Sequence, residues 1–201
     1  TTANSLTSSD SITDNSGTDA DKLVARYTSN QTSIRPTLTD VETIVVQSDA
    51  ANVTMDLTRA TGYDNLKVEA QNFTAGNDVL FSNVSNGSTT LTVSAMTHIN
   101  DTVAVQYKDA ALAGTNSLSL TLDTVTAGNI SLTDAGGTTN TLETIAITTS
   151  IGSSNFQLID AGVNFSAITL TGDQNLTLTL SGAGNLSSIS GADFAGAFKT
   201  D

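Results

Sequence analysis

A short unit of two or three alternating apolar residues returns about every 12 residues along this chain, and that spacing limits what the chain can build. Examples are Val53-Thr-Met55-Asp-Leu57, Leu66-Lys-Val68, Leu91-Thr-Val93, Val103-Ala-Val105, Leu118-Ser-Leu120-Thr-Leu122, Ile168-Thr-Leu170 and Leu176-Thr-Leu178-Thr-Leu180. A period of two puts the apolar residues on one strand face and the hydroxyls and amides on the other. The chain is therefore an all-β string of short strands, each buried on one side. Regular return of such strands is the mark of a structure that grows by adding rungs.

The connections choose between two architectures. A hairpin meander favours tight Asn-Gly or Asp-Gly turns, whereas here a single Asn86-Gly87 stands among looser Gly, Ala, Asn and Ser links. That favours a parallel β-solenoid (β-helix) of short strands, with a β-sandwich as the alternative. Residues 1–37 differ from the rest and read as a loop-rich acidic N-terminal cap or opening coil, with a short helix possible over Ala20 to Tyr27. Pro36 biases Arg35 to extended geometry and marks the way into the regular region, 38–201. Within it, Val41-Glu42-Thr43-Ile44 matches Leu142-Glu143-Thr144-Ile145 at an offset of 143 − 42 = 101 residues, a super-repeat of roughly eight strands. A Glu flanking a buried strand is read as a solvated or backbone-capping residue before a functional one.

Twenty acidic against seven basic residues give a net charge of −13, which argues against nucleic acid and anionic membrane as partners and for cations. No Cys is present, so disulfides and thiolate metal sites are excluded, and one histidine, His98, is too few for a zinc centre. Asp, Asn and carbonyl oxygens suit calcium best. No run of about 18 apolar residues exists, so no membrane insertion by a helix is expected. No basic-then-apolar leader is visible. An exported chain of this kind is then expected to have lost its leader or to use a signal beyond Asp201.

The one local cluster with site chemistry is Asp10-Ser-Ile-Thr-Asp14-Asn-Ser-Gly17-Thr-Asp19-Ala-Asp21. Gly17 would let the backbone turn so that Asp10, Asp14, Asp19 and Asp21 converge on a hard cation, although the spacing is not that of an EF-hand loop. The many Asp residues at strand ends, Asp78, Asp101, Asp134 and Asp160 among them, are read as turn residues bonding their own backbone, or as stacked acids bridged by cations. No nucleophile elbow, phosphate loop or dinucleotide fingerprint appears, and His98 reads as a loop residue, so no enzyme activity is expected. Thr-x-Thr pairs such as Thr169-Leu-Thr171 and Thr177-Leu-Thr179 raise an ice-binding reading. It is set aside because consecutive units replace Thr by Ser, Asn, Lys or Gln. The sequons at Asn72, Asn83, Asn100 and Asn175 arise largely from composition.

The acidic loop, followed by Pro36-Thr-Leu38-Thr-Asp-Val41-Glu42-Thr-Ile44, Leu66-Lys-Val68, Thr102-Val-Ala-Val-Gln-Tyr107-Lys-Asp109, Leu170-Thr-Gly172-Asp-Gln-Asn-Leu176 and Ser188-Ile-Ser-Gly-Ala-Asp193-Phe, resembles bacterial surface-layer proteins. The similarity is to the calcium-dependent kind related to repeats-in-toxin proteins, and it covers about Asp10 to Phe198. It implies type I secretion, an extended β-solenoid, bound calcium and assembly into a paracrystalline coat. The Gly-Gly-x-Gly-x-Asp nonapeptide of the calcium-binding β-roll is not present. The expectation is an extracellular, non-enzymatic module of the bacterial cell surface whose partners are copies of itself. The alternative is an adhesin or carbohydrate-binding module with a cell-surface glycan as partner.

Overall fold

The structure, a computed structural model, describes residues 6–16, 19–49, 51–70, 76–136 and 140–201. The chain winds as a parallel β-solenoid. The first coil holds β1 (Ser11–Thr13), β2 (Lys22–Tyr27) and β3 (Gln31–Ile34), and the second β4 (Thr37–Thr39), β5 (Thr43–Ser48) and β6 (Val53–Asp56). The third holds β7 (Ala60–Thr61), β8 (Asn65–Ala70) and β9 (Asp78–Val84). Later coils hold two strands each: β10 (Thr90–Ser94) with β11 (Thr102–Tyr107), and β12 (Ser117–Asp123) with β13 (Asn129–Asp134). Then come β14 (Thr144–Ser150) with β15 (Ser154–Ala161), β16 (Ala167–Gly172) with β17 (Leu176–Ser181), and β18 (Ser188–Phe194) with β19 (Phe198–Thr200).

Two eight-stranded walls result. Wall one runs β2-β5-β8-β10-β12-β14-β16-β18 and wall two β3-β6-β9-β11-β13-β15-β17-β19; a three-stranded sheet β1-β4-β7 forms a third side of the first coils. Every pairing between these strands is parallel, which rules out the sandwich. Successive coils are 21 residues apart where Lys22 pairs Thr43 and 29 where Thr90 pairs Ser119. The sequence period of about 12 is thus half a coil, and consecutive units lie on opposite walls.

Inward residues stack in columns. Ile44, Leu66, Leu91, Leu120 and Ile147 form one on wall one, and Val53, Val79, Val103, Ile130 and Leu158 one on wall two. All are buried, so each contributes on the order of 1.5–3 kcal/mol from removing its side chain from water. The column through Ile44 reaches Ile147 and not Ile145, its counterpart in the 101-residue duplication. The reason is that β12 begins two residues earlier, at Ser117 and Leu118, than the paired Thr90↔Ser119 register requires. The duplication records where strands start.

Those starts are capped alike. Glu42, just before β5, accepts the Asp21 N–H at 2.9 Å through Oε2, and Glu143, just before β14, accepts the Asn116 N–H at 2.6 Å the same way. Each reaches back to the residue that precedes the neighbouring strand of the previous coil, and each carbonyl accepts two N–H groups from the next coil. Both glutamates are therefore capping residues. On wall two the same task falls to short amides and acids: Asn30 Oδ1 accepts from Asn52 N, Asn52 Oδ1 from Asp78 N, and Asp78 Oδ1 from Thr102 N.

The segment 1–37 supplies β1, β2 and β3, each hydrogen-bonded to the next coil, so its described part is the opening coil. The helix considered over Ala20 to Tyr27 is instead strand β2, because pairing with β5 buries Ala25 and Tyr27 in alternation. After β10, β12 and β14 the chain turns through Ala95, Thr124 and Ile151, all with positive φ near 60°. Ala and β-branched residues rarely adopt this conformation, and stacking the same turn over three coils holds it.

Asp56 ties three coils together. Buried, it caps a short 3-10 turn by accepting from Thr58 N at 2.9 Å and Thr58 Oγ1 at 2.6 Å, and takes Asn83 Nδ2 at 2.9 Å and Arg35 Nε at 2.6 Å. Burial alone would raise its pKa; the bonds from Thr58, Asn83 and Arg35 overcome it and hold the value down to about 2. A depressed carboxylate stabilises the fold above its unfolded pKa and loses that contribution as pH falls through the folded one. Asp56→Ala is expected to cost about 2–3 kcal/mol at neutral pH, and the gap from the parent in urea denaturation should shrink as pH is lowered from about 4 to 2.

Gly172, at φ 104°, sits where an added Cβ would meet the backbone carbonyl of Thr149 in the coil below. Gly172→Ala is expected to destabilise by at least about 1–2 kcal/mol, with a lower melting temperature and unchanged far-UV circular dichroism.

Candidate cation site

Asp14, Asp19 and Asp21 meet at the corner between β1 and β2. Asp14 is placed by the β1–β4 ladder, its N–H bonding Thr39 O at 3.0 Å, and its Oδ2 accepts the Ser16 N–H at 2.7 Å. Asp21 is held at the foot of β2 by the Glu42 cap and by Thr43 N–H bonding its carbonyl at 3.0 Å. One carboxylate oxygen from each of the three lies within 4.8 Å of the others. Asp10 stands apart at the opposite end of β1, where its Oδ2 accepts from Thr7 N at 2.7 Å and Thr7 Oγ1 at 3.1 Å. Gly17 lies outside the described residues.

Three carboxylates this close repel one another. The Asp21 pKa is raised, first by desolvation and then by the charges of Asp19, Asp14 and Glu42. Hard oxygen donors at such separations fit a divalent cation of the calcium or magnesium type, with two oxygens on offer from each residue.

The strand-end acids have other work. Asp134 accepts from Gly136 N at 3.2 Å, and Asp160 from Gly162 N and Asn164 N at 3.1 and 3.0 Å, which is the turn-residue reading. Asp64 and Asp109 instead bind amides of neighbouring coils, Asn86 and Asn140. Among the described residues no other three acids converge as Asp14, Asp19 and Asp21 do. His98 lies in the loop before β11 and takes the Asn100 N–H on Nδ1 at 3.2 Å.

Asp101 is the residue whose setting the sequence does not announce. Fully buried, it accepts from Gly76 N at 3.2 Å and Asn77 N at 3.1 Å across two coils through Oδ1, while Oδ2 finds no partner among the described residues. Burial raises its pKa, against the backbone bonds from Asn77 and Gly76 and the His98 charge. Its spacing is the same as that of the other turn acids, and only three-dimensional stacking sets its burial; Asp160 is likewise buried, with an Oδ2 that finds no partner among the described residues.

No family model matches the chain, and no curated protein or solved structure matches it either.

The raised Asp21 pKa has a sign that can be measured. A carboxylate with an elevated folded pKa favours folding at low pH and opposes it as pH rises through that value. Asp21→Asn is therefore expected to raise the melting temperature of the metal-free protein at pH 7 and to leave it unchanged at pH 3.

Proposed function

We propose that the chain is an extracellular structural module that assembles with copies of itself into a bacterial cell-surface layer, with calcium held by Asp14, Asp19 and Asp21. The observation that supports the reading most is the solenoid itself: two eight-stranded parallel walls with edges at each end. This is the architecture that the resemblance implies, and it suits a building element. At the far end β18 and β19 bond a neighbour on one side only, and Ile189 and Phe198 are exposed there. Such an edge accepts another strand, whether from the same polypeptide or from a second copy. Calcium at the first coil would relieve the repulsion among its three acids and stabilise that coil by mass action.

A second reading, a carbohydrate-binding module, is favoured by a groove of about 340 Å³ on the outer face of wall two, where Asn52, Thr54, Asp78 and Thr102 bring amide, hydroxyl and carboxylate groups beside Leu80 and Ala104.

Light scattering and negative-stain microscopy of the purified protein, titrated with calcium and then with a chelator, test the proposal. Reversible sheets or filaments are expected, and Asp14→Asn with Asp19→Asn should shift their onset to higher calcium. A monomer indifferent to calcium would overturn the reading, and saturable glycan binding by that monomer would favour the second.

A further inference from the structure

The outward face of wall one carries a grid that the linear sequence hides. Because consecutive units lie on opposite walls, the residues to compare are a full coil apart. On wall one Thr92 pairs Thr121, Thr121 pairs Thr148, and Thr148 pairs Thr171, an unbroken threonine column across β10, β12, β14 and β16. The neighbouring outward column on the same strands is Thr90, Ser119, Ala146 and Thr169. Of the residues that interrupt the threonines along the sequence, Asn129, Ser131 and Gln157 lie on wall two, while Lys67, Ser119 and Ala146 lie on wall one outside the unbroken column. Wall two has no such grid: its outward positions on the same coils are Thr102 and Ala104, Asn129 and Ser131, Gln157 and Ile159, Thr179 and Ser181.

Three properties of this block decide what it fits. The first is spacing: neighbouring parallel strands are about 4.8 Å apart, and alternate residues along a strand about 6.6 Å. Both are near the oxygen repeats of the prism face of ice. The second is charge. The block itself bears none, in a chain of net charge −13; charged groups border it at Asp123, the last outward residue of β12, at Lys67 in the coil before and at Asp193 in the coil after. Complementarity therefore selects a neutral occupant over a cation or a polyanion. The third is preorganisation. Threonine is stiff at χ1, so little side-chain freedom remains to be lost on binding; the Thr148 and Thr171 hydroxyls bond each other across coils at 2.8 Å and keep their remaining hydrogen-bonding capacity for solvent.

We infer that this threonine face of wall one binds ice. The hydroxyls hydrogen-bond the water of the ice surface and the γ-methyl groups between them fill its hollows. The inference is independent of calcium and of assembly into a layer.

The test uses the whole chain on a cold stage, reading ice-crystal shape and the rate of ice recrystallisation. Variants are Thr121→Lys and Thr148→Lys on the face and Ser131→Lys on wall two; all three positions point outward, and circular dichroism melts confirm folding. The parent and Ser131→Lys are expected to shape crystals and halt coarsening at micromolar concentration. Each face variant should need about tenfold more protein. A folded parent with no effect on ice would overturn the inference, as would a Thr121→Lys variant as active as the parent. Binding to insoluble cellulose or chitin that Thr121→Lys abolishes, without any effect on ice, would overturn it too and assign the face to a neutral glycan.

Discussion

Everything in this molecule rests on parallel, in-register hydrogen bonding between coils. A strand of six residues satisfies none of its own backbone groups; its N–H and C=O groups are met only by the coils above and below. Register is therefore the quantity to be protected, because a slip of one residue would turn each inward column to solvent. The inward leucines, isoleucines and valines protect it from inside. Glu42 and Glu143 on one wall, and the chain Asn30, Asn52, Asp78 on the other, protect it at the strand starts by pinning a backbone N–H in an adjacent coil.

The same stacking explains where charge sits. Identical positions in adjacent coils are close enough for like charges to repel, so a column of acids on a wall would oppose the fold. The walls instead carry hydroxyls and amides, and the acids gather at corners and strand ends. There they accept backbone N–H groups, as Asp134 and Asp160 do, or reach across coils, as Asp56 and Asp101 do. Asp56 and Asp101, both buried, show two outcomes of burial: one is surrounded by donors and held ionised, the other has a bare oxygen and a raised pKa.

The solenoid was legible because its signal, alternation within units and regular return of units, is a property of neighbours in sequence. The capping role of Glu42 was legible for the same reason, since Glu143 repeats it before an equivalent strand. What lay in coil-to-coil relations was not. Coils vary from 21 to 29 residues, so no single period places Thr92 over Thr121, or carries Ile44 to Ile147 in preference to Ile145. The acid trio was partly legible: Asp14, Asp19 and Asp21 meet at one corner, but Asp10 is drawn away by Thr7, a local bond that spacing alone does not reveal. Strand β2 was hidden from propensity because its partner, β5, lies a coil further on.

Variable coil length at constant wall register has a consequence for biogenesis. All strand pairings in the two walls join residues one coil apart, so no contact in them waits for a distant part of the chain. A polypeptide built this way acquires order as it is delivered: each coil finds its template as soon as a few tens of residues clear a narrow exit, and the completed portion serves as the seed for the next. Order then passes from each finished coil to the next, every added strand meeting a partner already in place.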